Sequence, residues 1–426
     1  MPEAAREWKR TFFVVWTGQE VSLIGSQLVL FALVWWLTQK TGSATVLATA
    51  TMVAILPQVL IGPFSGALVD RWSRRTVMIV ADGSIALVSA WLAYLFFTGS
   101  VEVWHIFVAA AARAIGTGFH YPAMAASTSL MVPREHLARV AGLNQAMNGA
   151  SNIVTPPMGA ILLSFLPMHW ILGIDVATAA TAVLPLLFIA IPQPESKATT
   201  ERPSVLREMR EGFRYVLAWP GLLIVILTAM LLNFVLSPGA SLLPLFVTRH
   251  LHGGAMQLGW LESSLGGGIV VGGLVLAVWG GFRRRVVTSF CGITGMGVGL
   301  LALGLAPQSG LWIAMAAFAL IGIMNAMANG PLQALLQSHV DPSMQGRVFT
   351  LLASLATAMS PLGLAVAGPV ADLVGISFWY ILSGVVLTVA GVGAFLVPAI
   401  RHLEDRRPTR ADAQDEAVPA SKSAID

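Results

Sequence analysis

The sequence predicts an all-α membrane protein: twelve transmembrane helices arranged as two six-helix bundles. Three observations carry that reading: the composition, the regular run of apolar segments, and the position of the basic residues between them. Of 426 residues, 56% are hydrophobic and 11% are charged, whereas soluble domains carry about 25% charged. A surface so poor in charge has to meet lipid over most of its area, and the α-helix is one of two backbone forms that lipid tolerates. The single cysteine, Cys291, excludes an intramolecular disulfide framework. It lies in an apolar run and is read as a small packing residue. The net charge of +4 does not mark a nucleic-acid partner, because the basic residues fall in short segments between apolar runs rather than along one face.

A helix needs about 20 apolar residues to cross a bilayer. The segments that qualify are 11–39, 44–69, 76–97, 103–130, 138–165, 169–191, 221–247, 255–280, 286–306, 311–337, 346–370 and 377–400. The first follows Arg6, Lys9 and Arg10, as in a secretory signal, but its apolar run is too long for one and no small-residue cleavage site is evident. It is therefore the first span. Twelve crossings put both termini on one side. With that side cytoplasmic, cytoplasmic segments hold 22 Lys and Arg and outer loops hold two, Lys40 and Arg249. The asymmetry also supports the count, since one miscounted helix would scramble it.

The expected organisation is an N-terminal bundle over 1–192, a cytoplasmic linker over 193–219, a C-terminal bundle over 220–400 and a disordered cytoplasmic tail over 401–426. The linker places Val205, Leu206, Met209, Phe213 and Val216 at helical spacing, with Arg207, Glu208, Arg210, Glu211 and Arg214 on the other face. This predicts an amphipathic helix on the membrane surface, with a plain solvated linker as the alternative. The two halves look like repeats. Val132, Arg139 and Val140 mark the start of the fifth span, and Val340, Arg347 and Val348 mark the start of the eleventh at the same offset.

The loop between the second and third spans reads Gly66-Ala-Leu-Val-Asp70-Arg71-Trp-Ser-Arg74-Arg75. Gly66 allows close approach to a neighbouring helix. Asp70 can pair with a basic residue or a helix N-terminus, for instance near Arg347. Such contacts would hold the cytoplasmic side shut; the alternative is that the arginines only set topology. The loop resembles the signature loop of the major facilitator superfamily, whose fold is a parallel repeat of six-helix halves with a substrate site near the midplane. The matching stretch of the second half, Gly280 to Arg285, lacks the Asp and is expected to be weaker.

In the fifth span, Ser151-Asn-Ile-Val-Thr155-Pro156-Pro157-Met-Gly159-Ala160 resembles the antiporter motif of drug-exporting facilitators, with Thr155 and Ala160 in place of glycines. Prolines kink membrane helices and neighbours resatisfy the freed carbonyls. A packing kink without directional meaning is the alternative. Pro238-Gly239 and Pro244 break the seventh span, consistent with a gating bend.

Ionisable residues within hydrocarbon are costly and are functional candidates by default. Glu20 lies about halfway along the first span and Arg113 halfway along the fourth, so they can form a buried pair whose making and breaking follows protonation. Asp175 and Glu262 lie nearer the outer surface, as proton acceptors or as hydrogen-bonded helix clamps. Asp82 is expected to support the loop arginines. Gln19 joins Glu20 as a cavity candidate. Polar stripes carry Thr117, His120 and Tyr121 on the fourth span, Asn144, Asn148 and Asn152 on the fifth, and Asn325, Asn329 and Gln333 on the tenth. Each points to a cavity or to another helix. The aromatic residues Trp16, Trp35, Phe119, Tyr121 and Trp260 are candidates for a greasy cavity wall. No metal cluster, nucleophile triad or Walker element is visible, so neither an enzyme nor a cofactor is expected, and ATP does not drive this chain.

The stretches WKRTFFVVWTGQEVSLIGSQ, LVDRWSRRTVMIVAD, RAIGTGFHYPA, VPREHLARVAGLNQ, REMREGF and GRVFTLLASLATAMSPLGL resemble the macrolide-efflux (Mef-type) branch of drug:proton antiporters. The resemblance covers 8–398. It implies a proton-driven exporter of an amphiphilic organic compound in the inner (plasma) membrane of a bacterium, working by alternating access. Arg113 falls where the family has an arginine on its fourth helix, and Glu262 matches a family acid. The resemblance supplies no match for Glu20, which stands as a specificity candidate. A siderophore or another endogenous metabolite or lipid is the alternative cargo, because kinship does not fix the substrate. A membrane sensor is a further alternative, although no signalling domain is visible. The expected partners are the lipid bilayer, a small-molecule substrate and protons, with the chain acting as a monomer.

Overall fold

The computed structural model describes residues 2–69, 72–189, 191, 205–341, 344–401 and 404. Asp70 and Arg71 of the expected gate, the linker ahead of 205 and most of the expected tail lie outside these residues. Every regular element described is helical. The first six helices are α1 (Pro2–Thr41), α2 (Ala44–Val69), α3 (Arg74–Thr98), α4 (Val103–Met131), α5 (Leu137–Phe165) and α6 (Met168–Phe188). The short α7 (Val205–Leu217) follows. Then come α8 (Pro220–Leu245), α9 (Ala255–Trp279), α10 (Arg285–Gly304), α11 (Leu311–His339), α12 (Gln345–Val374), α13 (Ile376–Ala394) and the single turn α14 (Pro398–Arg401).

Ten of these helices are long and apolar enough to cross a membrane. The other two of the expected twelve spans, α4 and α5, are 29 residues each and long enough. Their apolar character is diluted by Arg113, Thr117 and His120 in one and by Asn144, Asn148 and Asn152 in the other. The polar stripes that suggest a function are what lower their hydropathy. α1 begins at Pro2 rather than at 11 and runs 40 residues, longer than the hydrocarbon requires.

Helices α1 to α6 pack mainly among themselves, with α1 on α5 and α6, α3 on α4 and α6, and α2 on α4. Among α8 to α13, α10 packs on α11 and α13, α9 on α11, and α12 on α8. The groups meet chiefly through α2 with α12 and α5 with α9, with α8 also touching α2 and α1. Close crossings use small residues, as expected where lipid gives helices no hydrophobic reason to associate. A β-carbon at Gly18 would collide with the Thr181 carbonyl, and one at Gly322 with the Leu265 carbonyl.

Proline interrupts the hydrogen bonding of α8 locally. Pro238 has no N–H, so the Phe234 carbonyl loses its helical donor. Gly363 of α12 lies against that carbonyl so closely that a β-carbon would not fit. α13 braces the same region, with Trp379 Nε1 donating to Val235 O at 3.2 Å and the Tyr380 hydroxyl to Gly239 O at 2.7 Å.

The start of α1 and α7 mark one end of the molecule, here the terminal end; the α1–α2 connection marks the far end. The expected amphipathic helix is present as α7. It docks on α12 through Glu211, which accepts from Arg347 Nη1 at 2.7 Å, while Tyr215, Val216 and Trp219 are buried. The Tyr215 hydroxyl accepts the Asp341 N–H, and burial pushes its pKa up. Phe213, from the expected apolar face, is exposed on the protein surface.

Candidate functional site

A polar cluster sits inside the first group of helices. Asp175 on α6 is fully buried and pairs with Arg113 of α4 at 2.6 Å. It also accepts from Ser26 of α1 at 2.9 Å and from Ser89 of α3 at 2.6 Å. One carboxylate thus ties four helices, as a buried charge requires full pairing. The expected Glu20–Arg113 pair is therefore replaced by Asp175–Arg113. The reason is depth: Arg113 Nη2 reaches the Ser26 carbonyl, and Glu20 lies six residues back along α1, about 9 Å away by helical rise.

Closer to the terminal end, Gln19 Nε2 donates to Asp82 Oδ2 at 2.9 Å. His120 Nε2 lies 2.8 Å from Gln19 Oε1 and 3.3 Å from Asp82 Oδ1. Asp82 therefore joins the α1–α3–α4 interior; its expected support of the loop arginines is replaced by this triad. Beside it, Glu20 has a buried Oε2 with no hydrogen-bond partner among the described residues. An oxygen so placed calls for a donor, which a proton, a water or a substrate group can supply. One turn before Glu20, Trp16 Nε1 donates to Asn144 of α5 at 2.7 Å. α1 and α5 run the same way, so Glu20 comes level with Asn148.

The prolines of α5 mark where the second group docks. Pro157 deprives the Ile153 carbonyl of its helical donor, and Ser263 of α9 donates to it at 2.6 Å. Pro156 does the same to Asn152, and Gly266 of α9 lies against that residue's carbonyl. Glu262 is on the side of α9 opposite Val271, Leu274 and Val278, which are exposed, so it faces the interior between α5 and α11. No side chain among the described residues donates to it.

At the far end, Asp372 of α12 caps α2 from the other group of helices. It accepts the backbone N–H of Ala44 at 2.8 Å and of Thr45 at 2.9 Å, together with the hydroxyls of Ser43 at 3.0 Å and Thr45 at 2.8 Å. Nearby, Thr51 and Ser241 share a hydrogen bond of 2.7 Å between α2 and α8. Toward the terminal end the picture reverses. Gly142 of α5 and Gly273 of α9 have none of the described residues within 4 Å of a β-carbon position. Thr117, Tyr121, Asn148, Asn152 and Asn329 are exposed, Tyr121 at 75%. In a membrane, polar groups so placed have to face water rather than lipid.

The family model described as transmembrane secretion effector matches residues 6–420. The chain belongs to this family of major facilitators. It is 35% identical over 402 residues to macrolide efflux protein A of Streptococcus pyogenes, covering 94% of this chain and 99% of that one. It is 27% identical to the multidrug efflux pump Tap of Mycobacterium tuberculosis, covering 92% and 94%. Among solved structures, a mutant of the nucleoside transporter NupG superposes with a TM-score of 0.71 at 14% identity, covering 91% and 99%, a likeness of fold.

This facilitator is a multi-pass membrane transporter and not an enzyme. Of its expected gate, Arg74 is buried and donates to Ala126 O at 3.2 Å, and Arg75 donates to the Leu186 and Leu187 carbonyls. Arg75 thereby places positive charge at the C-terminus of α6. Arg347 holds Glu211 of α7. Asn329 Nδ2 donates to the Asn325 carbonyl at 3.0 Å, and Gly159 packs against Phe31. Asp372 is the residue that sequence reasoning missed. The available signal was an acid just past an apolar run, but its partners lie more than 300 positions away.

Proposed function

We propose that this transporter exports an amphiphilic, macrolide-like compound in exchange for protons, by alternating access between two six-helix bundles, 1–192 and 220–400. All twelve long helices cross the plasma membrane of a bacterium, both termini are cytoplasmic, and the chain works as a monomer. The observation that carries the reading is the contrast between the two ends. The far, outer end is clasped by Asp372, and the terminal, cytoplasmic half exposes polar groups on α4, α5 and α11. That is the state in which an exporter loads cargo from the cytoplasm. Glu20 and Glu262 face the interior without a donor among the described residues and are the proton-coupling or substrate residues. Arg113 and Asp175 hold the N-terminal bundle together further along α1 from Glu20. The relatives named for macrolide and multidrug efflux favour an amphiphilic cargo.

The test is drug susceptibility of an efflux-deficient bacterium expressing this chain, across macrolides, tetracyclines, phenicols and lipophilic cations, with and without a protonophore. Macrolide resistance that the protonophore abolishes is expected. No protection against any compound, with the protein present in the membrane, would overturn the drug reading in favour of an endogenous metabolite.

A further inference from the structure

The linker helix α7 leaves one edge uncovered. Its buried side is Gly212, Tyr215, Val216 and Trp219. Arg210, Phe213 and Arg214 border instead a cleft of about 570 Å³, whose other wall is Leu351 and Leu355 of α12. Arg210, Phe213 and Arg214 are all exposed, Phe213 at 48%. The nearest acid in sequence, Glu211, is engaged by Arg347 at 2.7 Å. Among the described residues, neither Arg210 nor Arg214 meets a carboxylate. The cleft therefore combines an apolar floor with two uncompensated guanidinium groups on its rim.

We propose that this cleft binds one anionic phospholipid, its phosphate against Arg210 and Arg214 and an acyl chain along Phe213, Leu351 and Leu355. A freely soluble anion would leave the apolar floor wet, and a neutral lipid would leave the two cations unmatched. Guanidinium groups form charge-assisted, often bidentate bonds with phosphate oxygens, and basic residues near a membrane surface favour anionic lipid by a few-fold each. The lipid joins α7 to α12, the same pair that Glu211 and Arg347 join, so it fastens the connection between the bundles. The inference rests on α7 lying at the membrane surface and not on the identity of the cargo.

The experiment uses the full chain, delipidated in detergent, with melting followed during titration of phosphatidylglycerol, phosphatidylcholine or inorganic phosphate. Phosphatidylglycerol should stabilise the protein at a concentration on the order of tenfold lower than phosphatidylcholine, and inorganic phosphate should not. The Arg210→Gln/Arg214→Gln pair should lose that preference while melting normally without lipid. The Arg210→Lys/Arg214→Lys pair, which keeps the charge, should retain it. Equal response to the two lipids, full protection by inorganic phosphate alone, or an unchanged preference in the glutamine pair would each overturn the site.

Discussion

Asp175 and Glu20 show how differently two acids inside apolar helices can be treated. Asp175 is saturated, with Arg113, Ser26 and Ser89 all directed at it. Its replacement by Asn leaves the Arg113 charge uncompensated, and breaking a buried pair costs about 3–5 kcal/mol. Asp175→Asn should therefore melt well below the wild type in detergent and lose transport as a consequence. Glu20 has an oxygen with no partner among the described residues, so Glu20→Gln should melt at or above the wild-type temperature while transport is abolished or its substrate range altered. Wild-type transport by Glu20→Gln would assign the residue to packing alone. Both acids are visible in the sequence as charges inside apolar runs. Their partners are not, because hydropathy gives a residue's depth only coarsely and its direction around the helix hardly at all.

The crossing of α5 and α9 is the element on which the two groups meet. The Pro156-Pro157 pair is legible as a kink, but its use is not: α9 supplies the Ser263 hydroxyl to one freed carbonyl and the bare backbone of Gly266 to the other. Ser263→Ala should cost about 1 kcal/mol, the usual worth of an interhelical hydrogen bond in lipid, readable as a small drop in melting temperature. Gly266→Leu places a side chain where a β-carbon would already lie 3.1 Å from the Asn152 backbone. It should force the helices apart, reducing transport far more than Ser263→Ala does. If the two variants behave alike, the crossing is not close-packed in the working protein. Pro238 follows the same rule, since the carbonyl it frees is covered by Gly363 and the region is braced by α13.

At the scale of the molecule, the far end is held by a helix cap supplied from a distant helix. Removing a capping side chain costs about 0.5–2 kcal/mol, which shifts a two-state equilibrium by about 2- to 30-fold. Asp372→Ala should move the population toward the state open at the far end. Spin labels on the far ends of α2 and α12, in a Cys291→Ser background, should report a larger share of long distances. An unchanged distance distribution would show that the cap stabilises α2 without controlling the opening.

By itself the sequence determined what periodicity and composition encode: an all-helical membrane chain, the position of nearly every long helix, an amphipathic helix between the halves, and family membership. These depend on local patterns of apolar and charged residues, which lipid and helix geometry read directly. Only the tertiary structure decided that Arg113 meets Asp175 rather than Glu20, that Asp82 meets Gln19 and His120, and that Asp372 caps α2. It also decided that Phe213 and two arginines border an open cleft on α7. These depend on the azimuth and relative depth of helices far apart in the chain. Packing of small residues at helix crossings sets those quantities, and no single helix carries them in its own pattern.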